Sequence, residues 1–392
     1  MTPLPPSSSP APRAAPHGAA ARHVIGLDAL RFLAAAYVAF YHLGYWTWAY
    51  EGGMAGRAAG GAVSFEHLAP VAGYGWIGVQ VFFVISGFVI AYTAERATAY
   101  GFLVGRIVRL VPCVWIVATV SGLASALIGL DSLRGLWTRW LHSVLFFPWP
   151  PWVDSVYWTL CVELAFYALV LGLIRLRRFG AIESAMAAVG LASTAFWCLW
   201  WASIGTPWFE TMRALQGSRT LQLLLLPHGC FFALGVLLWL QLIKRPARRR
   251  LGWLACFGLG ALLQIGAQAD LNAFKTGLPV SPLPPALLFV AALAAFAWAV
   301  RADHALRVAM ARRLPALRML GLMTYPLYLL HNVVGAALLG RLAARGVPQD
   351  LALVLVLLAA LAASYVIAAH LEPPLQRWTR GLLCRLRPAP AS

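Results

Sequence analysis

The chain has 392 residues, of which 61% are hydrophobic and only 11% charged, with a formal net charge of +18 and a mean hydropathy of +0.74. A soluble domain is nearer half apolar and a quarter charged, and at this composition it would expose large apolar patches, so an ordinary soluble fold is excluded. The positive charge does not mark a nucleic-acid binder either, because the Lys and Arg residues fall in short stretches between apolar runs, which is the membrane pattern.

Residues 1–22 are rich in Pro, Ala and Ser and lack an apolar h-region, so they read as a disordered cytoplasmic tail rather than a cleaved signal peptide. Residues 23–375 form one membrane domain, and 376–392 a basic cytoplasmic tail. A spanning helix needs about 20 mostly apolar residues. Segments 25–47, 71–94, 108–130, 157–175, 185–205, 221–242, 251–269, 283–301, 319–340 and 351–371 meet that requirement. The predicted fold is therefore all-α, a polytopic helical bundle of about ten transmembrane helices. The segment 251–269 is the most polar at its end, because of Gln264 and Gln268.

With both termini inside, this layout places 22 of the 31 Lys and Arg residues on the inner side and 8 outside, with Arg31 inside the first span. That bias follows the positive-inside rule and predicts a multi-pass protein of the cytoplasmic (inner) membrane. The loops are too short to fold alone, the longest being 48–70 and 131–156, so the chemistry is expected in the bundle or at its mouths. The six cysteines show no CxxC or zinc spacing, and neither a disulfide framework nor a metal site is predicted.

Ionisable groups inside a membrane are costly and mark candidate sites. In the first segment, Arg31 and His42 are eleven residues apart, which puts them on one helical face with a rise of about 16 Å. Asp28, three residues before Arg31, shares that face and can pair with it. Arg106 and Arg109 line one face at the inner surface, either as ordinary positive-inside charge or as a bidentate phosphate clamp. Glu163 falls in the outer half of the fourth segment, with Tyr167 one turn on as a possible partner. His331 lies near the middle of the ninth segment, after Pro326, which is expected to kink the helix. Two His, one Glu and several Arg supply a general base, an oxyanion stabiliser and cations for a phosphorylated donor. The same groups could relay protons in a transporter or flippase of acylated sugars, although the chain shows no internal repeat. No GxSxG elbow is present, so nothing points to a serine nucleophile.

In order and spacing, these places resemble membrane acyltransferase family 3. Arg31 and His42 fit its R-x10-H signature, and Arg106, Arg109 and Pro112 fit R-x-x-R-[IL]-x-P. Trp158 to Glu163 resembles W-[ST]-L-x-x-E, and Phe82 to Phe88 is similar to FFxxSGF. Tyr325, Tyr328 and His331 fit S-Y-x-[LI]-Y-L-x-H, with Thr324 in place of Ser, and Glu372-Pro373 resembles the closing element. The chain departs from the pattern at Leu164 and Ala165 after Glu163, and at Asn332-Val333 after the last His, where the family often has Pro.

The resemblance implies an O-acyltransferase moving an acyl group, acetyl above all, from acyl-CoA to a hydroxyl of a glycan or glycolipid. The alternative acceptor is a small glycosylated metabolite such as a macrolide. The donor is a substrate, with no permanently bound cofactor and no metal. His42, Glu163, His331 and Arg31 are then the catalytic candidates. Arg106, Arg109, Asp28, Trp158, Tyr325 and Tyr328 are the substrate-binding ones. A neutral His42 in an apolar bundle can accept a hydroxyl proton near neutral pH, with Glu163 in the same outer half to orient the acceptor or stabilise the imidazolium, and His331 at mid-depth to position the thioester or stabilise its oxyanion.

Overall fold

The computed structural model describes residues 24–386, so the N-terminal tail over 1–22 and the end of the C-terminal tail lie outside the described residues. Among the described residues the structure is helical with no strand. Helix α1 (Ile25–Tyr41) continues through a π-helical turn, His42–Trp46. Then follow α2 (Ile77–Ala94), α3 (Ala99–Leu127), α4 (Tyr157–Arg175), α5 (Ile182–Ala202) and α6 (Gly229–Leu242). The second half holds α7 (Arg248–Thr276), α8 (Leu283–Arg301), α9 (Leu314–Leu330), α10 (Val333–Ala344), α11 (Gln349–Val366) and α12 (Glu372–Arg385).

Helix occupies most of each of the ten predicted segments, with turns interrupting the second at 73–76, the sixth at 224–228 and the ninth at 331–332. Among the described residues, seven helical stretches are long and apolar enough to cross a bilayer, and eight if the bent pair α9–α10 counts as one span. The other two are α1, whose hydropathy is diluted by Asp28, Arg31 and His42, and α6, which has only 14 residues. The chain is thus an all-α integral membrane bundle.

Two features differ from the sequence reading. The ninth segment is not one helix kinked at Pro326: Pro326 sits inside α9, and the chain breaks instead at His331–Asn332, where α10 leaves at 69°. The region read as a tail from 376 begins as α12, which packs on α3, where the Tyr100 hydroxyl donates to the Leu383 carbonyl.

Glycines set the closest helix crossings, as expected where apolar packing supplies no hydrophobic drive and backbones must approach closely. A Cβ on Gly87 of α2 would lie 2.3 Å from the Phe232 carbonyl oxygen, and one on Gly235 of α6 would lie 2.0 Å from that of Val84. Nearby, the Phe232 ring packs on Phe83 at 4.8 Å and on Phe166 at 4.6 Å. On α9, Gly321 makes room for the buried Asp28 of α1, since a Cβ there would come within 2.5 Å of the Asp28 Cγ. These contacts fix the helices that carry Asp28, Arg31, Ser86 and Glu163.

Candidate active site

Three adjoining cavities run along the bundle. The first, about 660 Å³, lies at the end where residue 24 enters, and Asp28, Arg31, Arg106, Arg109, Arg318 and Glu163 contribute to its wall. Asp28 and Arg31 interact electrostatically, as their spacing predicted. The Arg106 guanidinium stands over the rings of Phe102 and Tyr167, at 5.5 and 5.7 Å, while its Nε is buried without a partner among the described residues. Residues of α1, α3, α4 and α9 thus converge on a cationic chamber suited to an anionic head group.

Glu163 belongs to this chamber and not beside His42. Its Oε1 accepts from the Ser86 hydroxyl and from the Tyr167 hydroxyl, both at 2.6 Å. It therefore offers its second oxygen as a counter-charge near Arg31, with which it interacts. Ser86 was not singled out as a site residue in the sequence, although it sits in the FFVISGF stretch; its signal was a lone hydroxyl in the middle of an apolar helix.

The second cavity is small, about 90 Å³, and shares Arg31, Ser86, Arg109, Glu163 and Tyr167 with the first. Tyr325 and Tyr328 both line it. The Tyr325 hydroxyl is buried without a partner among the described residues, and the Tyr328 hydroxyl is 2.8 Å from Thr159 Oγ1. Tyr328 and Val79 also line the third cavity, about 470 Å³, towards the opposite end of the bundle. Trp158 and His42 line that third cavity.

His42 opens the π-helical turn, a local widening of the helix of the kind often found at functional positions. Its Nδ1 is 2.8 Å from Nε2 of His331, which is fully buried at the end of α9. Nδ1 of His331 is 3.0 Å from the Leu327 carbonyl oxygen. A carbonyl only accepts, so this nitrogen carries the hydrogen and the His331 Nε2 is bare. His42 Nδ1 must then be the donor between two neutral rings, which leaves His42 Nε2 with a free lone pair. His331 thus stands directly against His42, where its bare Nε2 favours the His42 tautomer with the hydrogen on Nδ1.

The turn after His331 is held from outside the helix. Asp154 Oδ1 accepts from Asn332 Nδ2 at 2.7 Å, and Asp154 Oδ2 accepts from the backbone N–H of Val333 at 2.9 Å. Asp154 thereby caps the first turn of α10. Burial pushes its carboxyl up to about 6, against the pull of these hydrogen bonds. Sequence reasoning missed Asp154, which lies in a loop with no periodicity to point at it. Asn332 had appeared only as a departure from the family pattern.

Comparison with known proteins agrees with the order of these motifs. The family model described as an acyltransferase domain matches residues 24–369. The chain is similar to Nodulation protein 10 of Rhizobium leguminosarum bv. viciae, 30% identical over 196 residues, covering 43% of this chain and 50% of that protein. It is also similar to Exopolysaccharide production protein ExoZ of Rhizobium meliloti (strain 1021), 38% identical over 110 residues, covering 25% of this chain and 34% of that protein. The matches thus span half or less of these relatives' own length. No solved structure matches. Since the family model takes in nearly all of the described bundle, including both His of the pair and every Arg of the chamber, the chain belongs to the membrane acyltransferase family that its motifs resembled.

Proposed function

We propose that this protein is an O-acyltransferase of the cytoplasmic membrane, with both termini cytoplasmic, that moves an acyl group from acyl-CoA to a hydroxyl of a glycan or glycolipid. Acetyl is the expected acyl group. The observation that carries this reading is the run of adjoining cavities, with Arg31, Arg106 and Arg109 at one end and the free Nε2 of His42 at the other. The relative named for exopolysaccharide production supports a glycan acceptor.

In this reading the Arg-lined chamber holds the phosphates of CoA at the cytoplasmic face, with Asp28 and Glu163 orienting the guanidinium groups. The pantetheine arm passes Tyr325 and Tyr328, and the thioester reaches His42. The acceptor hydroxyl enters from the other side and gives its proton to His42 Nε2. Its oxygen attacks the thioester carbonyl, the C–S bond breaks, and the proton passes from His42 to the departing CoA sulfur. The His42 Nδ1–H bond to His331 steadies the imidazolium between the two transfers.

Sealed vesicles of defined orientation test this. Acyl-CoA supplied only on the Arg-lined side should acylate an acceptor confined to the other side. Acylation seen only when both substrates share one side would overturn the through-membrane route. Absence of CoA release in every arrangement would overturn the enzyme reading.

A further inference from the structure

The third cavity carries more polar machinery than the proton transfer at His42 uses. Five Trp side chains line it, as do six side-chain amides. Three of the amides, Gln264, Gln268 and Asn272, stand four residues apart on α7. That spacing keeps them on one face and stretches them over about 12 Å. The two glutamines are the residues that dilute the end of this predicted span, and the cavity is where their polarity goes.

The amides are only partly satisfied by one another. Gln80 Nε2 donates to Gln264 Oε1 at 3.3 Å, and Gln268 Nε2 donates to Asn272 Oδ1 at 3.0 Å. Among the described residues, Gln80 Oε1, Gln216 Oε1, Asn272 Nδ2 and Trp76 Nε1 are buried without any partner. Gln80, Gln216, Asn272 and Trp76 are each at least nine-tenths buried. Buried polar groups left unpaired in a native structure are costly, and here they face one cavity and include both acceptors and donors. A hydroxyl is both donor and acceptor, so a ligand bearing several hydroxyls satisfies a mixed set of this kind where a purely accepting or purely donating ligand does not. The indole faces cover the C–H faces of such a ring.

Charge narrows the ligand further. Among the described residues no Asp or Glu lines the cavity, while Arg219 and Lys275 do. The Arg219 guanidinium is 5.1 Å from the Trp152 ring, and its Nη2 is buried without a partner among the described residues. A cationic group entering here loses water and gains no counter-ion, which is unfavourable.

We propose that the amide ladder Gln264, Gln268 and Asn272, with Gln80 facing it, is the acceptor-recognition strip, and that it selects a hydroxyl-rich glycan, neutral or acidic, without free amino groups. The inference rests on the acyltransferase reading and assigns its acceptor side. His42 lines the same cavity, so a sugar ring on the strip brings its hydroxyls to the base.

The test uses the full-length protein in detergent without donor, with tryptophan fluorescence read against neutral oligosaccharides, oligogalacturonates and free-amino glucosamine oligomers. Binding is expected from the neutral or acidic sugars and not from the glucosamine oligomers. Gln264→Leu and Asn272→Leu should each weaken it by about tenfold, the loss of one hydrogen bond. Gln268→Glu, which keeps the shape, should admit the glucosamine oligomers. Binding of a non-hydrolysable acyl-CoA thioether, unchanged in all three variants, shows that they are folded. Glucosamine binding to the parent, or ladder variants that bind glycans as the parent does, would overturn the strip alone. If the parent releases no CoA with any acceptor, the enzyme reading falls and takes the inference with it.

Discussion

The His42–His331 pair assigns different work to two imidazoles that look equivalent in the sequence. One has its outer nitrogen free in a cavity, and the other is fully buried with both nitrogens engaged. His42→Ala should lower kcat by two to four orders of magnitude, roughly the contribution of a general base. His331→Ala should lower kcat less and shift the pH–rate profile, because His42 then loses its fixed tautomer. The double variant should be no worse than His42→Ala alone, since the two act as one unit. Steady-state kinetics across pH would show this, and a wild-type profile in His331→Ala would remove its positioning role. At the other end of the path, Arg106→Lys keeps the charge but loses the planar fork, so the KM for acyl-CoA should rise with kcat little changed. An unaltered KM would remove Arg106 from the donor site.

At the scale of elements, the break between α9 and α10 depends on Asp154. The fold raises its carboxyl from 3.8 to about 6, so folding favours the protonated acid. Its contribution to stability is full below 3.8 and is lost as the pH rises to about 6, on the order of 3 kcal/mol. Asp154→Asn cannot ionise and should flatten that part of the stability profile, read by thermal unfolding in detergent. A parent whose stability does not fall over this window would contradict the assignment. None of this was legible in the sequence, because the partner of Asn332 comes from 178 residues away in a loop. The shared face of Asp28, Arg31 and His42 was legible, since a helix repeats regularly. The depth of Glu163 was not. It is the seventh residue of α4, as Arg31 is of α1, and the two helices enter from opposite ends. Periodicity gives the face of a helix, but tilt and stagger against neighbours decide which groups meet. Here glycine crossings such as Gly87 with Gly235 set that stagger.

For the whole molecule, the distribution of Lys and Arg predicts sidedness as well as span number. Reporter fusions after Arg250 should read cytoplasmic and those after Lys275 extracytoplasmic, and the reverse pattern would place the Arg-lined chamber on the wrong side for CoA. The Arg chamber was legible as separate motifs, but the path from it to His42 appears only once the helices pack.

A route open from one face of a bilayer to the other is also an electrical hazard, because any continuous file of water would short-circuit the membrane potential. The middle cavity bears on this. It is the smallest of the three, about 90 Å³, and its wall includes Phe82, Phe83, Leu110, Leu160 and Leu329. An extended thioester arm can thread such a waist, while a hydrated ion would have to shed part of its water shell along its apolar side and would meet Arg31 and Arg109 on the other, both unfavourable for a cation. In the proposed route the smallest of the three cavities therefore also serves as the insulator, and widening it would first be felt as conductance.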